Sequence, residues 1–265
     1  LEAESVYHTL HLAGAYKIND MVSASLGIRY ISVENSIKAG LTGVNLGLGG
    51  ALPTTKYEVD VTEEGDGMGV IAGVNLNLTP SLNLAMQYQS KVGLDLKTSV
   101  GRDDIHKFSD GEEKPRDLPG MFGIGLGYDF SDKLYAEVNY SYWFQKECDW
   151  GKDASGRDIA DLAGDTQSAG ITVSYRFTPA LLASAGATYT DFLWNDMDAY
   201  YEANLGSYEV LYTDNWHIGC GLAYTFKKDM TLNLSLARTI WDDADLTHSQ
   251  LPGVTINTDN ETTVI

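Results

Sequence analysis

Long, uninterrupted alternation of apolar and polar residues constrains this chain more than any other feature. In 82–96 one set reads Leu82, Leu84, Met86, Tyr88, Val92, Leu94 and Leu96, with Ser90 interrupting, and the set between them begins Asn83, Ala85, Gln87, Gln89. In 134–145, Leu134, Ala136, Val138, Tyr140, Tyr142 and Phe144 alternate with Tyr135, Glu137, Asn139, Ser141, Trp143 and Gln145. In 215–226, Trp216, Ile218, Cys220, Leu222, Tyr224 and Phe226 alternate with His217, Gly219, Gly221, Ala223 and Thr225. A period of two puts the two sets on opposite faces of a sheet. These runs span about 12–16 residues, against the ~5–6 usual for strands in soluble domains.

Five short turn signals organise the runs: Asn19-Asp20, Thr79-Pro80-Ser81, Ser131-Asp132, Thr178-Pro179 and Lys227-Lys228-Asp229. They recur every 47 to 60 residues, and between them lie acidic stretches at 56–66, 99–117, 145–165, 191–214 and 242–261. Those stretches hold 28 of the 37 acidic residues and 8 of the 18 basic ones, so the rest of the chain is nearly neutral. The unit is strand, tight turn, strand, long acidic loop. The spacing predicts strands at about 5–18, 21–38, 66–78, 82–98, 119–130, 133–147, 167–177, 181–194, 214–226 and 230–241, with the start of another at 253–265.

The apolar rows meet either a second sheet or lipid. Strand length favours lipid, and so does the order along the rows. Aromatics gather at the tight-turn end (Tyr16, Tyr128, Phe130, Tyr175, Phe177, Tyr224, Phe226) and again at the long-loop end (Tyr30, Tyr88, Tyr140, Tyr142, Tyr189, Trp216). About nine residues lie between, which at ~3.3 Å each and a ~45° tilt span roughly 20–25 Å, the apolar band of a membrane barrel. The expected fold is therefore all-β: an antiparallel up-and-down transmembrane β-barrel of ten to eleven strands in one domain over 1–265, embedded in outer-membrane lipid. The segment 253–265 stops mid-pattern, and the chain reads as a mature protein or a piece of one.

A net charge of −19 argues against a nucleic-acid partner, because phosphate contacts need surplus Lys and Arg. Two cysteines, Cys148 and Cys220, exclude a cysteine-rich metal site and lie too differently along their strands to pair. The five histidines (8, 11, 106, 217, 248) lack metal-ligand spacing, and no cofactor or metal is implied. Glu63-Glu64-Gly65-Asp66 and Asp242-Asp243-Ala244-Asp245 read as solvated loops rather than Ca²⁺ sites. Arg238 interrupts an apolar row near the long-loop end, where it can snorkel to a headgroup.

At this point the sequence resembles a family. Ala15-Tyr16-Lys17-Ile18-Asn19-Asp20, Tyr88-Gln89-Ser90-Lys91-Val92, then Leu118-Pro119 opening a strand that ends in Gly127-Tyr128-Asp129-Phe130-Ser131-Asp132-Lys133-Leu134, are similar to stretches of the long-chain fatty-acid transporter family of outer-membrane barrels (FadL/TodX type). The resemblance implies a 14-stranded bacterial outer-membrane barrel closed inside by an N-terminal hatch, and passive uptake of hydrophobic compounds. It also implies that the hatch, about three strands and part of the last strand lie outside this sequence.

Candidate ligand-binding positions follow from the inward rows. Two strands carry glycine there: Gly67, Gly69 and Gly73, then Gly123, Gly125 and Gly127. Glycine in a strand marks either a close approach of backbone or ligand, or a sharp bend. Trp143, Phe192, Trp194 and Trp241 fall inward near the long-loop end, as an apolar collar that captures solute or as rings packed on folded-in loops. Elsewhere the inward rows are polar and include Lys17, Arg29, Lys91 and Arg176, of which Lys91 and Arg176 join the ligand-binding candidates. The leading expectation is a monomeric, non-enzymatic channel taking up a hydrophobic small molecule such as a long-chain fatty acid. The alternative is a general porin or surface-adhesion barrel acting through its acidic loops. A membrane-embedded hydrolase would need a nucleophile beside His217, and none is positioned by the sequence.

Overall fold

A computed structural model describes residues 2–42, 56–104, 106–203, 212–227, 230–247, 255–258 and 261–264. The strands in chain order are β1 (Glu2–Lys17), β2 (Val22–Thr42), β3 (Lys56–Thr79), β4 (Leu82–Gln89), β5 (Asp95–Asp103), β6 (Glu113–Pro115), β7 (Gly120–Asp129), β8 (Leu134–Phe144), β9 (Thr166–Thr178), β10 (Leu181–Phe192), β11 (Asn215–Lys227), β12 (Met230–Trp241), β13 (Ala244–Thr247), β14 (Thr255–Thr258) and β15 (Glu261–Val264). One antiparallel sheet runs β1-β2-β3-β4-β7-β8-β9-β10-β11-β12-β15, each strand beside the next along the wall. Its two ends, β1 and β15, are not paired with each other among the described residues. No helix of the described residues is long and apolar enough to cross a membrane.

The tight turns stand where the turn residues predict. Their side chains hold them. Asn19 Oδ1 accepts from the amides of Met21 and Val22, both at 2.8 Å. Ser131 Oγ accepts from Lys133 and Leu134 at 3.3 and 3.2 Å, and Thr178 Oγ1 from Ala180 and Leu181 at 3.2 and 3.1 Å. A short polar side chain thus reproduces the backbone turn at these three hairpins. The fifth signal brackets the β11–β12 turn, where Lys227 pairs with Met230; Lys228 and Asp229 lie outside the described residues.

Alternation sets the two faces as expected. The outward rows stay uncovered: Leu10 and Leu12 are 69% and 70% exposed, and Val138, Ile171, Leu222 and Leu234 are exposed on their strands. No second sheet packs on them among the described residues; the only other sheet is the small β13–β14 pair. Rings flank the band, with Tyr128–Phe130 and Tyr175–Phe177 edge to face at 4.7 and 4.8 Å at the turn end. At the other end Tyr189 and Trp216 meet at 5.1 Å, and the hydroxyls of Tyr142 and Tyr189 donate to Asp165 (2.8 Å) and Asp214 (3.2 Å). Such rings keep an apolar body in lipid and a polar tip in the wet layer.

Three expectations are corrected. The acidic stretch 56–66 is not a loop: β3 begins at Lys56 and pairs with β2 up to Thr42, so this hairpin continues the ladder beyond the girdle. The expected strand 82–98 breaks after Gln89 and resumes as β5. Val92, Leu94 and Leu96, expected on the lipid face, are 0–1% exposed and packed with Ile31 and Val33. The segment 253–265 forms two short strands: β14 pairs with β13, and β15 pairs with β12 at Ala237–Ile240. The other long connections carry short helices, α1 (Ile159–Ala163) and α2 (Met197–Ala203), which form a cap layer at the long-loop end.

A charge tests the assignment of faces. Val138→Arg places a guanidinium in mid-band lipid and is expected to cost about 2–4 kcal/mol. Ser235→Arg, on the inner face of β12, is expected to cost far less. Unfolding midpoints in phospholipid vesicles distinguish the two; equal losses would contradict the outward assignment.

Candidate functional site

The inner rows are mostly small or polar. Along β1–β4, β7 and β8 they line a cavity of about 650 Å³. Its floor is small, with Gly73, Ala85, Gly123 and Gly125 among the lining residues, and Gln87, Glu137 and Asn139 stand round it. A smaller groove of about 270 Å³ runs over β9–β12 past Thr172, Ser184, Thr188 and His217. His217 Nδ1 shares a 2.9 Å hydrogen bond with Thr239 Oγ1.

Above the larger cavity the chain leaves the wall. Residues 90–94 turn inward and cross the inner face of β3, which is glycine at 65, 67 and 69. A Cβ at Gly67 would overlap the Gly93 carbonyl oxygen and come within 2.7 Å of Val92 Cγ1; one at Gly69 would lie 2.8 Å from Val92 Cγ2. These glycines therefore mark a close approach, by the chain's own segment. The Gly123 and Gly125 positions are open by contrast, with nothing nearer than 3.4 and 3.8 Å.

Leaving the ladder costs backbone hydrogen bonds, and side chains restore them. The Ser90 amide still donates to Val70 O at 2.9 Å, and Ser90 Oγ accepts from the Val70 amide at 2.8 Å. Arg29 clamps the departure point, donating to Gln89 Oε1 and Ser90 O at 2.8 Å each. Val92 and Leu118 exchange both backbone bonds at 3.0 and 2.9 Å. Asp117 is the anchor: Oδ1 accepts from the Leu94 amide at 3.1 Å, and Oδ2 from the Asp149 amide at 3.0 Å and from Lys91 Nζ at 2.6 Å. Trp150 Nε1 donates to the Asp117 carbonyl at 2.7 Å, and Arg116 Nη1 to Trp150 O at 3.0 Å. Burial pulls the Asp117 carboxyl upward, but the bonds from Lys91, Asp149 and Leu94 outweigh it and leave it below its ordinary value. Its hydrogen bond to Asp117, against burial, raises the Lys91 ammonium. Nearby, burial pushes the Cys148 thiol up to about 12, so it is held as the neutral thiol.

Of the sequence-derived candidates, three come together. Phe192 stacks on Trp194 at 6.2 Å and meets Tyr212 at 6.1 Å, and Tyr212 meets Trp241 at 6.1 Å. Trp194 also contacts Tyr200 and Tyr201 of α2 at 5.0 and 5.6 Å. Tyr201 and Leu246 are buried at the centre of this cap, and Thr247 bonds Asp198 to tie α2 to β13. Trp143 sits on β8 opposite Met121 and Thr166, without a ring contact to this cluster among the described residues. Gly123 and Gly125 line the cavity. Lys91 is not an inward strand position but the partner of Asp117 at the break. Arg176 lies two residues before the Thr178 turn, at the opposite end from Lys91, and the fold does not bring them together. Sequence reading missed Asp117, Trp150, Tyr200, Tyr201 and Tyr212. They sit in long connections, where no period marks which way a side chain points.

Removing the anchor gives a direct test. Asp117→Asn is expected to cost about 1–3 kcal/mol, since it strips charge from buried donors. Asp117's contribution is full above its unfolded value near 4 and is lost as pH falls through the lower folded value. Lys91's is full below about 10.4 and is lost as pH rises through its raised value. Hydrogen exchange at the Leu94 amide, corrected for intrinsic rate, should stay slow between those limits and quicken in the variant. Unchanged protection in Asp117→Asn would remove the anchor.

No protein-family model matches the chain, and no curated protein matches it either. Solved structures do. A Pseudomonas aeruginosa FadL homologue matches 98% of this chain and 66% of its own, with TM-score 0.63 at 16% identity. The CymD monoaromatic hydrocarbon channel matches 91% of this chain and 70% of its own, with TM-score 0.61 at 14% identity. The Ralstonia pickettii toluene transporter TbuX matches 91% of this chain and 64% of its own, with TM-score 0.58 at 13% identity. The chain thus spans just under two thirds of the length of the FadL homologue. The shared property is the fold: the up-and-down antiparallel wall of FadL/TodX-type barrels.

Proposed function

We propose that this chain builds the wall and mouth of an outer-membrane channel that admits hydrophobic small molecules passively. The observation that carries this reading is the aromatic cluster of Phe192, Trp194, Tyr212 and Trp241 at the long-loop end, in which Phe192 and Trp241 continue the inner rows of β10 and β12. An apolar solute leaving water for such rings gains ~0.8 kcal/mol per CH₂. The lumen below, where Ser23, Ser25, Asn75, Gln87 and Asn139 stand among glycines and alanines, presents fewer rings and holds the solute less strongly, so capture at the mouth does not become a trap. No energy source beyond the solute's own gradient enters this scheme. The matched structures CymD, TbuX and TodX are described as a monoaromatic hydrocarbon channel and as toluene transporters, which supports the solute class. Long-chain fatty acids are a second hydrophobic class within the proposal. In it the outward rows meet outer-membrane lipid and the channel works as a monomer.

Liposomes carrying the full protein test it. Toluene and a labelled long-chain fatty acid are expected to enter faster than a small sugar; equal rates would indicate a general porin. Trp194→Ala and Trp241→Ala should each lower hydrophobic uptake about three- to tenfold while leaving sugar leakage unchanged. Trp143→Ala, outside the cluster, should change it less. Uptake unaffected by loss of Trp194 and Trp241 would overturn the capture role.

A further inference from the structure

The detour at 90–96 has nearly the length of the wall it leaves. On one side of it Gln89 pairs with Ile71 of β3, and on the other Lys97 pairs with Glu64. Seven residues, 90–96, therefore stand against the six positions 65–70 of β3, one more than an unbroken ladder needs. A single β-bulge absorbs one extra residue. On the flank away from β3 the pairing is continuous: Gln89–Met121, Val92–Leu118, Asp95–Pro115 and Lys97–Glu113 keep one register through the detour. The hairpin from β4–β5 to β6–β7 thus bends as one piece, and the joint that parts is the one with β3. Val92 and Leu94 keep the phase of Leu84 and Met86, and are buried because the bent hairpin crosses the inner face of β3 at Gly67 and Gly69.

We infer that this bent piece is a two-position gate beside the mouth. In the observed position it takes room from the bore, with Val92 and Leu94 packed on Ile31 and Val33. In the second it returns to the wall: the ladder with β3 closes over 65–70 through one bulge, and Val92 faces lipid opposite Met68. Two registers of the same strands are discrete arrangements, not a continuum. The observed one is the more populated, because Leu94 leaves a dry site in the other for a place beside the exposed Asp66. The loop at 149–150 fastens it. The Asp149 amide donates to Asp117 Oδ2 at 3.0 Å, the Asp117 amide to Asp149 O at 3.3 Å, and Trp150 Nε1 to the Asp117 carbonyl at 2.7 Å. Trp150 meets Tyr200 at 6.4 Å, and Tyr200 meets Trp194 at 5.0 Å, so the fastening is continuous with the rings of the mouth. The bearing of the gate on uptake rests on the channel reading above; the two positions themselves do not.

Methyl NMR of the full protein in phospholipid nanodiscs, labelled at valine and leucine, tests this without a probe in the segment. A phospholipid doxyl-labelled near its headgroup reports lipid contact, and a water-soluble gadolinium chelate reports water contact. Val70, exposed on the outer face and bonded through its backbone to Ser90, is the reference. In the unsubstituted protein the doxyl lipid is expected to relax the Val92 methyls about fivefold less than those of Val70. Gly67→Ala, whose methyl overlaps the Gly93 carbonyl in the observed position, should bring Val92 within about twofold of Val70 with no added effect of the chelate. Trp150→Phe, which removes the donor to Asp117 but keeps a ring toward Tyr200, should raise lipid contact at Val92 about two- to fivefold. Val92 shielded from lipid in both variants, a rise with the chelate instead of the lipid, or loss of the Val70 signal in both variants would overturn the two positions. Toluene uptake into liposomes separates the gate from the channel. Gly67→Ala should take up toluene about threefold faster than the unsubstituted protein. Unchanged uptake with Val92 in lipid overturns the gate and leaves the channel, whereas toluene entering the unsubstituted protein no faster than a small sugar overturns the channel and leaves the two positions.

Discussion

Hydrocarbon offers no partner to an amide or carbonyl, so a chain crossing it must pair its backbone within itself. That requirement shapes everything here. Ten successive strand pairings carry the wall from β1 to β15 as neighbouring antiparallel ladders. The wall is interrupted at 90–94, and there side chains do the pairing that strands do elsewhere. Arg29, Ser90 and Asp117 each take over a backbone group or hold the segment that lost its ladder. The break survives because its apolar residues also find a dry place, against Ile31, Val33 and the glycine face of β3.

The acidic stretches are alike in composition but not in use. One extends the β2–β3 ladder past the girdle. Another supplies Asp117, whose three hydrogen-bonded contacts fasten the inward segment. A third supplies Asp165 and a fourth Asp214, which receive the hydroxyls of girdle tyrosines. Charge at this end therefore joins the lipid-facing rings to the cap, and the cap to the lumen. A chain of contacts runs from Trp194 through Tyr200 and Trp150 to the Asp117 carbonyl. The proposed mouth and the inward segment are thus parts of one packed assembly.

Inside the wall, glycine serves two ends that look the same in sequence. On β3 it makes room for protein; on β7 it leaves room unfilled beside Glu137. The difference lies in what stands opposite. The 90–96 segment folds over the first set, while Tyr135 covers only Gly127 of the second.

What the sequence by itself determined is whatever depends on neighbours along the chain. Period two dictates which of Leu134–Phe144 faces out, because successive side chains must point to opposite sides of a strand. Asn19, Ser131 and Thr178 dictate turns, because each bonds amides two or three residues away. What only the tertiary structure decided is whatever depends on residues far apart. Val92 and Leu94 carry the same pattern as Leu84 and Met86, yet are buried inside, because glycines at 67 and 69 open the facing wall to them. Lys91 meets Asp117 across 26 positions, and Trp194 meets Tyr201 through a helix that no alternation announces. Local stereochemistry is written at every residue, but a cavity, a break and its fastening exist only where distant strands are brought side by side.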